Sequence, residues 1–549
     1  MTTRSGGGSF SAEKEPPPDA NRTTVRDATF AVLRRLGITT IFGNPGSTEV
    51  PLLTDFPDNF RYVLALHEGS VVGIATGYAM GRGEPALVNL HTAAGLGNAV
   101  NAIANARDCR VPLVIVVGQQ DRRQLAFEPF LAGRGLERMA EDYLVWANFP
   151  ARAQDLPGAI ARAYHEARGG RGPALVVAPM GDWDEPADGL AAGAPEVVVR
   201  PRAIAAEELA PLAELLVLSS APAIVVGAGT ANPEAWEALI ELVERVQCPV
   251  WQEPFFSRPG FPHDHRLFAG HLPWKRRAMR EALAGHDLVL AVGTSALRTY
   301  LFDEEIALLE PGTVVAVLTE DPAEAHRSPC RLAVVAPVAQ ACGALARSLP
   351  ARAKGSVPSR APIAVPEVSG PADALRVGQV FAELASRLPD DVVLVEEAPS
   401  SRPELLAHLP ARTPLGFVAN GGGGLGFGLT GAIGLRFALP DRPVVAVLGD
   451  GSAMYTIQAL WTAAHYDLGV LLIVMANGRY AVMDELARAR GGAGCWPAFE
   501  AVDVAGVAKG LGCTSLTIRT HDELARVLNE IVPTLRGCRQ PVLLQVEVD

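Results

Sequence analysis

The chain has 549 residues, too many for one core at about 150 residues per domain, so three or four folded units with deep clefts between them are expected. Hydrophobic residues make up 49% and charged residues 20%, and the longest apolar runs, such as 469–476, are only strand-sized, which argues against both a disordered chain and a membrane span. A net charge of -12 with 48 basic residues spread along the chain offers no basic stripe for nucleic acid, so neither nucleic acid nor membrane is an expected partner.

Residues 1–22 are polar and rich in Gly and Pro, lack the apolar centre of a signal peptide, and read as a disordered tail. From Thr23 a helical stretch, TVRDATFAVLRRLG, leads into apolar strands at TTIFG, RYVLALHE, ALVNLH and PLVIVVG, separated by helices. Strands that are apolar throughout and alternate with helices predict a parallel sheet covered on both faces. The scheme repeats at PAIVVG, PVWQE, DLVLAVG and TVVAVLT, and again at VVLVEE, PLGFVA, PVVAVLGDG, GVLLIVMANG and PVLLQVEV. The expected fold class is therefore α/β, with three doubly wound parallel-sheet domains at 23–185, 200–350 and 374–549. A Pro, Gly and Ala-rich passage from about residue 178 to 203 reads as the first linker, and 351–373 as the second. Seven cysteines lie scattered with no C-x-x-C and no zinc spacing, which fits a reducing cytoplasm.

In the third domain the strand VVAVLG runs into Gly449-Asp450-Gly451-Ser452. A phosphate loop is excluded, because no lysine follows at the required spacing. Two readings stay open: Asp450 as a helix N-cap, or as a metal ligand that anchors a diphosphate. Mg²⁺ needs more than one protein oxygen, and 27 residues further on Asn477 stands at the end of the next buried strand. Strand ends of a parallel sheet share one rim, so both side chains can reach one ion. Between them SAMYTIQALWTAA is expected as a helix whose N-terminus faces the phosphate.

GDGS followed by this Asn resembles the thiamine-diphosphate motif, and the chain from about Thr23 onward is similar to the thiamine-diphosphate-dependent decarboxylase and acetolactate synthase family. The likeness is greatest to its benzoylformate decarboxylases, through IFGNPGSTEVPLL, LVNLHTAAGLGNAVNAIANA, VVGQQDR and ALWTAAHYDLG. The resemblance implies thiamine diphosphate and Mg²⁺ as cofactors, with Asp450, Asn477 and the Arg479 carbonyl on the metal. It implies that Glu68, after the second strand, hydrogen-bonds the pyrimidine, that Leu425 forces the cofactor's bent shape, and that the Gly423 carbonyl accepts from its amino group. Ser400, Gly424, Gly449, Gly451, Ser452 and Tyr480 fall at cofactor-binding positions. Ser47 and His91 match the residues that meet the substrate carboxylate and move protons, and Val482 and Leu486 match the pocket wall.

One position departs from the pattern: Tyr300 stands where those relatives place a second histidine, and a phenol is a far weaker acid than an imidazolium. The implied reaction is non-oxidative decarboxylation of an aromatic or bulky 2-oxo acid, in a homodimer or homotetramer whose active site lies between subunits. A carboligase or lyase of the acetolactate-synthase or benzaldehyde-lyase kind is the alternative, and a cofactor-binding protein without turnover a further one. VVGAGTANPEAW has G-x-G without a third glycine, so no flavin is expected in the middle domain.

Overall fold

Apolar strands of five to seven residues can be covered on both faces only if helices cross over them, and such crossovers impose parallel pairing. The computed structural model describes residues 23–188, 195, 197–199, 203–302, 304–353 and 375–549, and this happens in it three times. The first sheet contains β1 (Thr40–Asn44), β2 (Arg61–Leu64), β3 (Ala86–Leu90), β4 (Leu113–Gln119), β5 (Trp146–Asn148) and β6 (Pro173–Pro179), in the order β2-β1-β3-β4-β6-β5. The second contains β7 (Pro222–Val226), β8 (Val250–Gln252), β9 (Phe268–His271), β10 (Leu288–Val292), β11 (Val314–Thr319) and β12 (Leu332–Val335), in the order β12-β11-β10-β7-β8-β9. The third contains β13 (Val393–Glu397), β14 (Phe417–Ala419), β15 (Val444–Gly449), β16 (Leu471–Ala476), β17 (Thr514–Ile518) and β18 (Val542–Glu547), in the order β14-β13-β15-β16-β18-β17. Every pairing between these strands is parallel.

The first and third sheets have the same topology, strand for strand. In both, the chain leaves its first strand in one direction and returns on the other side, and this switch point is where open α/β sheets take ligands. The two domains also share one core. The helix Glu68–Arg82 of the first crosses the helix Phe427–Ala438 of the third, and Val71, Ile74, Leu429 and Ile433 are buried between them. Backbones touch at this crossing: a Cβ on Gly77 would strike the Gly431 carbonyl, and one on Gly434 the Ile74 carbonyl. That close approach fixes Glu68 at one helix start and the glycine turn 421–426 before the other.

The third domain also covers the open edge of the first sheet. Outward-facing groups of β2 are taken up by Tyr466, whose hydroxyl accepts from the Leu64 N–H (2.9 Å) and donates to the Tyr62 carbonyl (3.2 Å), while Thr462 donates to the Leu64 carbonyl (3.1 Å).

Several sequence expectations change. The first linker cannot begin near 178, because β6 runs to Pro179, Trp183 is buried, and the Ala187 N–H donates to the Thr23 carbonyl. The strands that sequence reading passes over, β5, β6, β9, β12 and β17, are mostly edge strands, where one exposed side breaks the apolar run. SAMYTIQALWTAA is not one helix: Asp450–Met454 ends early, Thr456 turns to donate its hydroxyl to the Gly426 carbonyl (3.0 Å), and Ala459–His465 starts afresh. The tail 1–22 and all but the first three residues of the second linker lie outside the described residues.

Candidate active site

The first domain contributes two clusters at neighbouring strand ends. After β1 the loop enters a 3-10 turn, Ser47–Glu49, whose Glu49 is almost fully buried. Its carboxylate accepts from the Gly46 N–H (2.8 Å) and the Thr48 hydroxyl (2.7 Å), and lies 2.9 Å from His91 Nδ1 at the end of β3. Thr48 Oγ1 also lies 2.9 Å from that nitrogen. A carboxylate only accepts, so Nδ1 carries the hydrogen and Nε2 is left for chemistry. A Cβ on Gly46 would overlap the imidazole, so only glycine lets the loop close on it. Ser47, exposed in the single chain, therefore sits between two residues that both touch the His91 ring. The next residue, Thr92, is buried at φ 43°, a left-handed conformation costly for a β-branched side chain and characteristic of functional turns.

Glu68 opens the helix Glu68–Arg82 and is 9% exposed. Asn44 and Asn98 each donate to one of its oxygens at 3.0 Å, which fixes the carboxylate plane without a cation.

The third domain builds the other half from backbone. Asp450 does not cap its own helix. One carboxylate oxygen accepts from the Gly451 N–H (2.7 Å), and the other reaches the next loop, accepting from Asn477 N–H (3.0 Å) and Gly478 N–H (2.7 Å). Asp450 and Asn477 are thus brought together as their strand-end positions require. Burial pushes the Asp450 carboxyl up from its ordinary value while these amide hydrogens pull it down, and among the described residues no Lys or Arg pairs with it. A buried acid without a cationic side chain, beside an amide oxygen, is a donor set that suits a hard divalent ion. The Asn477 side-chain oxygen accepts from Arg479 N–H at 3.2 Å, and Arg479 is exposed. A Cβ on Gly449 would meet the Ser452 hydroxyl at ordinary contact distance (3.5 Å), and Ser452 is buried. Gly451 packs against the Tyr480 ring, which lies on Phe499. Val482 and Leu486 are half-buried one turn apart on the helix Ala481–Ala489, and Ser400 is exposed after β13.

In the turn 421–426, Gly423 takes φ +79° with nothing near a would-be Cβ, and Gly424 and Leu425 are half-buried. Glu397, which sequence reading missed, accepts from Gly426 N–H (3.0 Å) and Phe427 N–H (3.1 Å), and burial pushes its carboxyl up to about 8. Glu49 was missed as well; its signal was a charged residue lodged in a loop between apolar segments.

Tyr300 stands apart from both halves. It is 63% exposed, and among the described residues its ring pairs are edge contacts with Phe255 and Trp274, at 6.2 and 5.7 Å between centroids. A cavity of about 1510 Å³ is also separate; it lies between the first and middle domains, and arginines on its wall face acids, Arg110 with Glu324, Arg171 with Glu320, Arg298 with Glu253. Among the described residues no group of three or more His, Cys, Asp or Glu side chains converges as a metal cluster. No described helix is long and apolar enough to cross a membrane.

Three family models match the chain in order: the thiamine pyrophosphate enzyme N-terminal binding domain over residues 23–140, the central domain over 209–345 and the C-terminal binding domain over 401–546. A benzoylformate decarboxylase of Pseudomonas aeruginosa is 37% identical over 535 residues, 95% of this chain and 98% of that one. Among solved structures, a thiamine diphosphate-dependent 4-hydroxybenzoylformate decarboxylase of Rhodococcus jostii RHA1 superposes with a TM-score of 0.91 at 33% identity, covering 96% of this chain and 99% of that one. A benzoylformate decarboxylase of Polynucleobacter necessarius gives 0.89 at 31%, covering 96% and 98%.

Proposed function

The chain belongs to the thiamine-diphosphate-dependent enzymes, and on that footing we propose that it decarboxylates an aromatic or otherwise bulky 2-oxo acid of the benzoylformate kind to an aldehyde and CO₂. The observation that carries this reading is the His91 imidazole, fixed through Nδ1 by a buried carboxylate beside the loop of Ser47. When bound, thiamine diphosphate supplies the sink for the electron pair released as CO₂ leaves. Glu68, held by Asn44 and Asn98, would hold the pyrimidine through a hydrogen bond to its ring nitrogen. Ser47 and His91 orient the substrate carboxylate, and His91 Nε2 holds a proton for the carbon that loses CO₂. Asp450, Asn477 and the Arg479 carbonyl would hold Mg²⁺, which anchors the diphosphate and takes no part in bond making. Gly423, Gly424, Leu425, Gly449, Gly451, Ser452, Ser400 and Tyr480 shape the cofactor's seat, and Val482 with Leu486 the side-chain pocket.

The two halves are completed by a second copy of the chain, in a homodimer or homotetramer. Leu66, Met454, Tyr455 and Met483, each near one half, are 45%, 39%, 53% and 44% exposed, which supports a subunit contact there. Seven free cysteines fit a cytoplasmic setting. The exposed Tyr300 favours a second reading, a carboligase, because slow proton delivery leaves time for attack on an aldehyde.

Incubation with benzoylformate, Mg²⁺ and thiamine diphosphate distinguishes the two by product: benzaldehyde for the decarboxylase, benzoin-type products for the carboligase. Release of no CO₂ from any aryl 2-oxo acid would sink the first reading. Glu68→Gln is expected to abolish turnover and leave Mg-dependent cofactor binding largely intact.

A further inference from the structure

We infer that Asn101 and Asn105, on the first domain's helix Thr92–Asp108, are positioning residues that aim Leu425 of the third domain. The inference rests on the reading of Leu425 as the residue beneath the cofactor. Residues 101, 105 and 108 lie along one face of the helix, and that face meets the glycine turn. Asn101 Nδ2 donates to the Leu425 carbonyl (3.0 Å), and Asn105 Nδ2, on a side chain 5% exposed, donates to the Gly424 carbonyl (2.9 Å). The fit is close enough that a Cβ on Gly424 would strike both asparagine side chains, and one on Gly422 the Asp108 carboxylate.

The direction of a side chain is set by the two peptide planes that flank its Cα. The plane before Leu425 is held through its oxygen by Asn105, with Asn420 donating to the same atom. The plane after Leu425 is held at both ends: its oxygen by Asn101, its N–H by Glu397. Gly426 is pinned beyond that, its own carbonyl accepting from Thr430 (2.9 Å) and Thr456 (3.0 Å). In a run of four glycines nothing local restricts φ and ψ, so these bonds supply the restriction. Glu397, Thr430 and Thr456 belong to the third domain, yet without the two asparagines neither carbonyl beside Leu425 has a holder from across the interface.

The test uses the full chain with Asn101→Ala and Asn101→Asp, since Asn101 is exposed and neither replacement can donate to the Leu425 carbonyl. Amide hydrogen exchange over residues 421–427 is expected to quicken by about tenfold, and Mg-dependent thiamine diphosphate affinity, followed by tryptophan fluorescence of the cofactor-free protein, to weaken by about the same factor. The melting temperature of the cofactor-free protein stays near that of the unaltered chain, and Asn101→Gln recovers part of the affinity. Unchanged exchange in the turn together with unchanged affinity would overturn the proposal, whatever the melting temperature does. Should the unaltered chain bind no thiamine diphosphate, the reading of the site fails, and exchange in the turn alone still decides whether the clamp exists.

Discussion

His91 and Tyr300 both follow strand ends of doubly wound sheets, and both were expected at positions for proton transfer, yet their surroundings differ in kind. The His91 side chain is 16% exposed, its ring enclosed by Gly46, Thr48 and a buried glutamate that decides which nitrogen carries the hydrogen. Tyr300 is 63% exposed, and its ring meets the edges of Phe255 and Trp274. Orientation of the imidazole is therefore finished within one chain in the first domain, whereas the middle domain leaves the phenol without a hydrogen-bond partner among the described residues.

Breaking the built cluster should cost most. His91→Ala is expected to lower kcat by roughly a thousandfold with thiamine diphosphate affinity unchanged, measured by steady-state assay and cofactor titration. Glu49→Gln keeps the shape and removes the charge that holds the Nδ1 hydrogen; kcat should fall by about 10–100-fold, as for other partners that orient a functional imidazole. Tyr300→Phe, which removes only the hydroxyl, is expected to change kcat by less than about threefold, because an exposed side chain held by no hydrogen-bond partner among the described residues is not aimed at a reacting atom. A loss as large as that of His91→Ala would erase the contrast.

The smallest effect is read in stability and sharpens what a partner does for a buried acid. Glu49 faces an imidazole, whereas Glu397 accepts from the backbone amides of Gly426 and Phe427, and burial pushes its carboxyl up to about 8. With the folded value raised, the stabilisation is complete below the ordinary glutamate range and is lost as pH rises through about 8. Glu397→Gln cannot ionise, so between about pH 6 and about pH 9 its melting temperature should fall by a few degrees less than that of the unaltered chain.

The three-sheet fold was legible because buried parallel strands are apolar along most of their length, and the meeting of Asp450 with Asn477 because each marks a strand end by itself. Glu68, Ser47 and His91 became readable only with that motif beside them. Glu49 left only the signal of a charge between apolar segments, whereas Glu397 and Asn101 were not legible: each acts on a residue brought to it by packing, Asn101 across 324 positions of chain, and no local pattern records such a distance. The break at Tyr455 escaped for the same reason, since Thr456 is drawn out of the helix by a carbonyl 30 residues upstream.

The hydroxyls of Tyr466 and Thr462 along β2 have a further consequence for how the chain comes to be made. During synthesis the first domain emerges long before residue 462, and until then β2 presents a row of unsatisfied amides and carbonyls at the sheet's rim. Nascent chains, and any fragment ending near residue 188, carry that sticky rim into solution, where a neighbour's strand can pair with it. Completion of the third domain closes that edge, through Tyr466 and Thr462.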